Sequence, residues 1–184
     1  DDNEVEYNGL DIVRNIPDGE VEDVNEIHEG NSNDLPRTLQ NAIEWFLCGV
    51  AYMRFKAYKK SVSMLIHTSR RVEEHDNMRT AIEQWFRRTP GNEIIEGCRA
   101  LWAEESNRFT KIEFFANYPD YGRYNDLKIN DYPSFDGIAP YIRDLLVKGT
   151  TGIQIRNDGH HKYSTGIHVC VDNSRQNDDG DVEN

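Results

Sequence analysis

The stretch from Leu35 to Phe86 decides the fold, and it contains the runs Leu35-Pro36-Arg37-Thr38-Leu39 and Ser63-Met64-Leu65-Ile66-His67-Thr68-Ser69-Arg70. Pro36 suits the first turn of a helix, because its missing N–H would have had no partner there. Apolar residues then recur at three- and four-residue steps, which predicts one buried helical face. They are Leu39, Ile43, Phe46, Leu47 and Val50. This pattern predicts a helix over residues 36–57.

The second run predicts a strand followed by another helix. Ser63 to Ile66 is short and apolar, and the polar residues His67 to Ser69 close it. A central strand of an α/β sheet ends in this way, and such sheets place their sites at the carboxyl ends of strands. The next helix is predicted over residues 72–87, with one face formed by Val72, His75, Met78, Ile82 and Phe86.

Outside this stretch the patterns predict further helices at 93–107 and 138–147 and strands at 152–156 and 165–172, while 109–118 stays ambiguous. We expect an α/β fold that is helix-rich, with a short, mostly parallel sheet. The predicted organisation is an acidic linker or edge segment over 1–34, an α/β domain over 35–173, and an acidic mobile tail over 174–184. Within 1–34 the pattern allows a short strand at 7–13 and otherwise predicts a loop.

The negative charge is concentrated at the two ends of the chain. The net charge is −12, of which residues 1–34 contribute −11 and residues 172–184 contribute −4, so the body from 35 to 171 is +3. The sequence pI of about 4.9 would by itself argue against nucleic acid as a partner. Because the body is mildly basic, that exclusion does not hold for it.

The cysteines and the hydropathy indicate an intracellular protein. Cys48, Cys98 and Cys170 lie far apart in sequence, which is typical of buried, reduced thiols. No apolar run approaches the ~18 residues of a membrane span, and nothing is typical of a signal peptide. We therefore expect a cytoplasmic location and no membrane partner.

The two quoted runs resemble the Z1 domain family. The pattern Leu-Pro-x-x-Leu-x-x-Ala-Ile-x-x-Phe stands at Leu35 to Phe46, and Ser-Met-Leu-Ile-His-Thr-Ser-Arg stands at Ser63 to Arg70. The resemblance covers about residues 35 to 90 and returns at Ile167 to Ser174, where the family often has a strand ending in Asn-Ser. The family carries an endonuclease label. Its members occur with superfamily II helicase-like ATPase segments in bacterial and phage restriction–modification and defence neighbourhoods.

The resemblance implies a part of a RecA-like second helicase lobe with helical additions. In such lobes the polar end of the equivalent strand commonly touches the nucleic-acid backbone. It therefore suggests phosphate contacts at the end of the strand, and we predict a nucleic-acid-binding site of His67, Thr68, Ser69 and Arg70. Backbone N–H groups at the start of the following helix could face an anion. The alternative is a purely structural role, in which Ser69 caps the helix.

Three other constellations point to chemistry less directly. Pro119-Asp120 and Asp126-Leu127-Lys128 match the letters of a metal-dependent nuclease pattern, but with a short gap and in a loop. His160-His161 with Asp158 is more typical of a solvated turn than of a metal site, and no zinc-ligand spacing is present. The aromatic region 114–135 with its interleaved cations either stacks single-stranded bases or forms a satellite apolar cluster.

The motifs that are missing shape the functional hypothesis. The sequence has no phosphate-binding loop of the form Gly-x-x-x-x-Gly-Lys-Ser/Thr, and no catalytic residue is assigned. The resemblance places the ATP-binding segment before this region, so ATP and Mg are expected only in the full-length protein. The leading hypothesis is a non-catalytic segment that contacts DNA or a neighbouring lobe, beside the missing ATPase segment and other defence subunits. The alternatives are a metal-dependent endonuclease domain and a protein-interaction module.

The isolated chain is expected not to hydrolyse ATP, because it lacks the loop that would hold the phosphates. The measurement is phosphate release from Mg-ATP with and without DNA, with a known ATPase as the positive control. Turnover that a single substitution within this chain abolishes would contradict the expectation.

Overall fold

A computed structural model describes residues 13–60, 62–118 and 132–147, and the backbone of 153–157 and 167–171. Within these ranges the chain forms six helices and three strands. In order they are α1 (Asp18–His28), α2 (Arg37–Phe55), β1 (Val62–Ile66), α3 (Val72–Arg88), α4 (Gly91–Arg108), α5 (Lys111–Asn117), α6 (Phe135–Leu146), β2 (Ile153–Asn157) and β3 (Ile167–Val171).

The helix α2 lies at the centre of the helical part. It packs against α4 and α6, and its inward residues Ile43, Leu47, Val50 and Ala51 are at most 1% exposed. The helices α1 and α3 pack on each other, and α3 also contacts the sheet. The buried apolar residues of all these helices form one continuous core with Ile66 at the end of β1.

The helix-rich character predicted from the sequence is confirmed. The helices α2, α3, α4 and α6 begin and end within about three residues of the predicted bounds, because their apolar periodicity is strong. The ambiguous stretch after α4 becomes α5, which Thr110 begins with a reciprocal capping box to Glu113. No helix in the described ranges is both long and apolar enough to cross a membrane.

The prediction of a loop over 1–34 is wrong between Asp18 and His28, where α1 forms. Five acidic residues in this segment mask the periodicity of its short apolar face, on which Val24 and Ile27 pack into the core. The carboxylate of Glu20 also accepts the backbone N–H of Thr38 at 3.0 Å. That N–H lies in the first turn of α2 and has no intrahelical partner. An acidic residue of α1 thus caps α2.

The prediction of a mostly parallel sheet, with the first strand at its centre, is wrong for the described strands. The strand β3 lies between β1 and β2, and both pairs are antiparallel. Only nine residues separate β2 from β3 in the sequence, whereas a parallel connection needs a crossover of a dozen or more. Burial in β1 also alternates, with Ser63 and Leu65 exposed, as in a sheet with one uncovered face. These strands do not show the parallel arrangement of a RecA-like lobe.

A buried polar cluster lies between α2 and α4. Cys48 and Cys98 are buried free thiols, as predicted, whereas the side chain of Cys170 lies outside the described part of the structure. The Cys98 thiol contacts the carbonyl oxygen of Glu44 at 3.4 Å. The hydrogen bond with Cys48, together with burial, raises the pKa of Cys98 far above its ordinary value. The Cys98 thiol is therefore protonated, and both thiols are packed as apolar groups.

The carboxyl group of Glu44 belongs to the same cluster and is 3% exposed. Burial raises its pKa, and the exposed guanidinium of Arg37, 3.6 Å away, opposes that effect. The carboxyl oxygens lie directly against Gly97 of α4, so closely that a Cβ atom there would overlap with them. The close approach of α2 and α4 thus leaves no room for a Cβ atom at Gly97 unless the buried Glu44 carboxyl group moves.

Alanine substitutions at two glycines in helix interiors should have opposite effects on the free energy of unfolding. Gly97→Ala should lower the free energy of unfolding by about 1–3 kcal/mol, because the new methyl overlaps with Glu44. Gly49→Ala should raise it by about 0.5–1 kcal/mol, because a Cβ there meets nothing within 4 Å. Urea unfolding measures both changes. Equal effects of the two substitutions would contradict this packing.

Candidate functional site

The predicted site residues lie in the segment that connects β1 to α3, which we call the β1–α3 junction (residues 67–71). Ser69 organises it, because its hydroxyl donates to the carboxylate of Glu74 and accepts the backbone N–H of Arg71 at 3.0 Å. Arg71 in turn donates to the same carboxylate at 3.1 Å. The structural alternative is thus partly realised, since Ser69 satisfies a backbone donor at the start of the helix.

Thr68 binds a residue of α1 rather than pointing to an open site. Its hydroxyl lies 2.9 Å from Nε2 of His28, whose other ring nitrogen is 3.9 Å from the Glu74 carboxylate. The backbone carbonyl of His28 accepts the side-chain amide of Asn77 in α3 at 2.8 Å. The end of α1 is therefore tied both to the junction and to α3.

A buried histidine lies under the junction. Nε2 of His75 is 2.6 Å from the carbonyl oxygen of Ser69, and since a carbonyl oxygen can only accept, Nε2 carries the proton. Nδ1 of the same ring is buried and has no hydrogen-bond partner among the described residues. The ring of His67, which is exposed, lies edge-on at 6.1 Å from that of His75.

The first turn of α3 carries two acidic side chains, Glu73 and Glu74. The hydrogen bond from Ser69, followed by the charges of Arg71 and His28, lowers the pKa of Glu74. Glu73 lies in the same first turn, and acidic side chains there complement the helix dipole. A ligand anion at these backbone N–H groups would have to compete with two carboxylates.

Arg70 is the predicted site residue with the most freedom to meet a ligand. It is exposed, and the structure gives it no ion pair within the described ranges. The backbone around it is held, because the N–H of Arg71 donates to the Ser69 hydroxyl and the carbonyl of Ser69 accepts from His75. The structure thus brings His67, Thr68, Ser69 and Arg70 to one end of β1, and their contact with nucleic acid stays a prediction.

Sequence reasoning missed the partners of these residues. His28 is 40 positions before Thr68, and an acidic segment predicted as a loop offers no signal for that contact. Glu74 follows Ser69 by five positions, and its position in the first helical turn was a usable signal. His75 was recognised on the inward face of α3, but its bond to the junction was not.

A second surface was also missed, at the end of α2. The sequence there alternates aromatic and basic residues from Tyr52 to Lys60, and cations at the end of a helix are expected from the helix dipole alone. In the structure Phe55 and Tyr58 are exposed beside the lysines. We call residues 52–60 the aromatic–basic turn.

The other candidate groups lie outside the described residues. They are Asp120, Asp126 and Lys128 of the nuclease pattern, and Asp158, His160 and His161 of the turn before β3. In the part of the chain that the structure describes, no three His, Cys, Asp or Glu side chains are placed to hold a metal ion.

Comparison with known proteins identifies one family. The model of the Z1 domain matches residues 38–183. No curated protein sequence and no solved structure matches the chain.

The contribution of Glu74 to the stability of the fold should depend on pH. Because the pKa of Glu74 lies below its ordinary value of 4.5, its ionised form stabilises the fold above about pH 4.5. That contribution is lost as the pH falls through the lowered pKa. We expect Glu74→Gln to lower the melting temperature near pH 6, and we expect this effect to become smaller as the pH is lowered from 4.5.

Glu73→Gln is the matched control for this experiment, since both carboxylates lie in the first turn of α3 and share the helix-dipole effect. Melting curves followed by circular dichroism at each pH make the comparison. If the two variants melt alike throughout, the network around Glu74 does not stabilise the fold.

Proposed function

The chain belongs to the Z1 domain family, and from this premise we propose that it is a non-catalytic, helicase-associated segment of an ATP-dependent nucleic-acid-processing protein. The proposal places that protein in bacterial or phage defence, in the cytoplasm. The role of this segment is to contact the phosphate backbone of DNA, or a neighbouring lobe, through the β1–α3 junction. The proposal assigns ATP and Mg to an ATPase segment that works beside this one.

The observation that supports this role is an exposed arginine on a fixed backbone. Arg70 is exposed, while the backbone N–H of Arg71 donates to the Ser69 hydroxyl and the backbone carbonyl of Ser69 accepts from His75. A guanidinium group suits a phosphate because its planar donors match two phosphate oxygens at once. Since the backbone on which it stands is already ordered, binding costs less conformational entropy than it would on a flexible loop.

The charge distribution agrees with a polyanionic ligand near the body of the domain. Residues 35–171 carry +3, and the acidic residue closest to the junction, Glu74, is already engaged by Ser69 and Arg71. Glu74 therefore presents less uncompensated negative charge to a ligand at Arg70 than an isolated carboxylate would. His67, next in space and exposed, adds a donor.

The proposal is tested with supercoiled plasmid and Mg²⁺ on a native gel, with an EDTA control. We expect a mobility shift without nicking. Arg70→Ala should weaken binding about 3- to 10-fold and reduce the slope of log K against log salt by about 1, because one phosphate contact is lost. Arg87→Ala, an exposed arginine at the other end of α3 paired with Glu83, should bind as the unchanged chain does.

The other outcomes separate the alternative functions. Nicking that EDTA abolishes would establish the endonuclease activity instead, and Asp120, Asp126 and Lys128 would be the first residues to replace. No shift at any salt concentration would contradict a DNA contact and leave a protein-interaction module.

A further inference from the structure

The aromatic–basic turn packs on a cluster of aromatic side chains. Phe55 lies nearly parallel to Tyr52, with centroids 6.5 Å apart and planes 19° apart. The edge of Tyr141 in α6 contacts it at 6.4 Å. The ring centre of Tyr52 lies 6.1 Å from that of Trp102 in α4, and the ring centre of Trp102 lies 5.4 Å from that of Tyr132. Tyr52 and Tyr141 thus fix the plane of Phe55, which is still 40% exposed.

The backbone of the turn is equally fixed. The N–H of Tyr58 bonds to the carbonyl of Met53 and that of Ala57 to Arg54, each at 2.9 Å, which closes the end of α2 as a Schellman motif. The guanidinium of Arg54 then donates to the carbonyls of Tyr58 at 2.7 Å and Lys60 at 2.8 Å. The turn therefore presents Tyr58, 44% exposed, from an ordered backbone.

Positive charge surrounds these exposed rings. Residues 53–60 contain four cations and no acidic residue, namely Arg54, Lys56, Lys59 and Lys60. The ammonium group of Lys56 lies 5.7 Å from the ring centres of both Tyr52 and Phe55. The carboxylate of Asp136, at the start of α6, is neutralised by an ion pair with Arg99 at 3.1 Å. Helix-dipole complementation needs only the cations of the last turn, so it does not account for Lys60.

We propose that the aromatic–basic turn is a binding surface for single-stranded nucleic acid. Bases stack on Phe55 and Tyr58, and Lys59 and Lys60 contact the phosphates. Ordered rings beside lysines are the combination that such ligands require, because each base has a face to stack and each nucleotide a negative charge. In a duplex the base faces are already stacked on one another. The surface therefore selects single strands.

This inference deepens the proposed function and rests on it for the nucleic-acid class of the ligand. The two surfaces lie at opposite ends of β1, whose five residues span about 16 Å. The aromatic–basic turn precedes the strand and Arg70 follows it. Substitutions at one surface therefore leave the other in place.

The experiment measures fluorescence anisotropy of a fluorescein-labelled 15-nucleotide oligo(dT) with the full chain over a series of salt concentrations. Tyr58→Ala should weaken binding about 5- to 100-fold, the effect of losing one stacked base. The double substitution Lys59→Gln with Lys60→Gln should lower the salt slope by about 1.4, since each contact to a single strand contributes about 0.7. Phe55→Leu, which retains an apolar side chain, should weaken binding as Tyr58→Ala does.

Ile112→Ala is the control, because Ile112 is an exposed apolar residue of α5 outside both the aromatic–basic turn and the aromatic region 114–135. It should bind oligo(dT) as the unchanged chain does. Melting temperatures verify that every variant is folded. The two lysine substitutions affect exposed side chains, so they remain informative if Phe55→Leu does not fold.

The outcomes distinguish this inference from the proposed function. A plasmid shift that Arg70→Ala weakens, without oligo(dT) binding, overturns the inference and leaves the proposed function in place. Oligo(dT) binding that Tyr58→Ala weakens but Arg70→Ala does not supports the inference and moves the contact away from the junction. Equal loss in Tyr58→Ala and Ile112→Ala overturns the assignment to this surface.

Discussion

The face of α2 formed by Ile43, Leu47 and Val50 is almost completely buried against α4 and α6, and the positions of both proposed surfaces depend on this contact. Burial of each such side chain contributes about 1.5–3 kcal/mol, so α2 cannot rotate without exposing much of the core. Its carboxyl end is therefore fixed where Phe55 meets Tyr141 of α6. The strand β1 follows, and its last residue, Ile66, anchors the β1–α3 junction in the same core.

The close approach of α2 and α4 encloses Glu44 between them. A buried carboxyl opposes folding when it is ionised, and Arg37 at 3.6 Å compensates only in part because it is exposed. The opposite solution is found at the junction, where Glu74 is ionised, accessible and bonded to Ser69 and Arg71. One carboxyl group is accommodated by packing, and the other orders a surface segment.

The two surfaces differ in what they offer a ligand. At the junction the hydroxyls of Thr68 and Ser69 are already used by His28 and Glu74, so Arg70 is left to meet a phosphate. At the aromatic–basic turn the backbone carbonyls are used by Arg54, while rings and lysines stay accessible. In both places internal hydrogen bonds order the backbone and leave side chains for binding, which lowers the entropic cost of recognition.

Local periodicity was enough to predict α2, α3, α4 and α6 and most of their buried faces, because a 3.6-residue repeat of apolar side chains is a property of the sequence itself. It was also enough to place polar residues at the end of β1. Local periodicity did not predict the pairing of β1 with β3 or the contacts of His28, Glu74 and Tyr52, which involve side chains and strands from separate elements. It also did not predict α1, whose apolar pattern is weak. Only the tertiary structure decided these features, because strand direction and side-chain partners depend on which distant surfaces meet when the core closes.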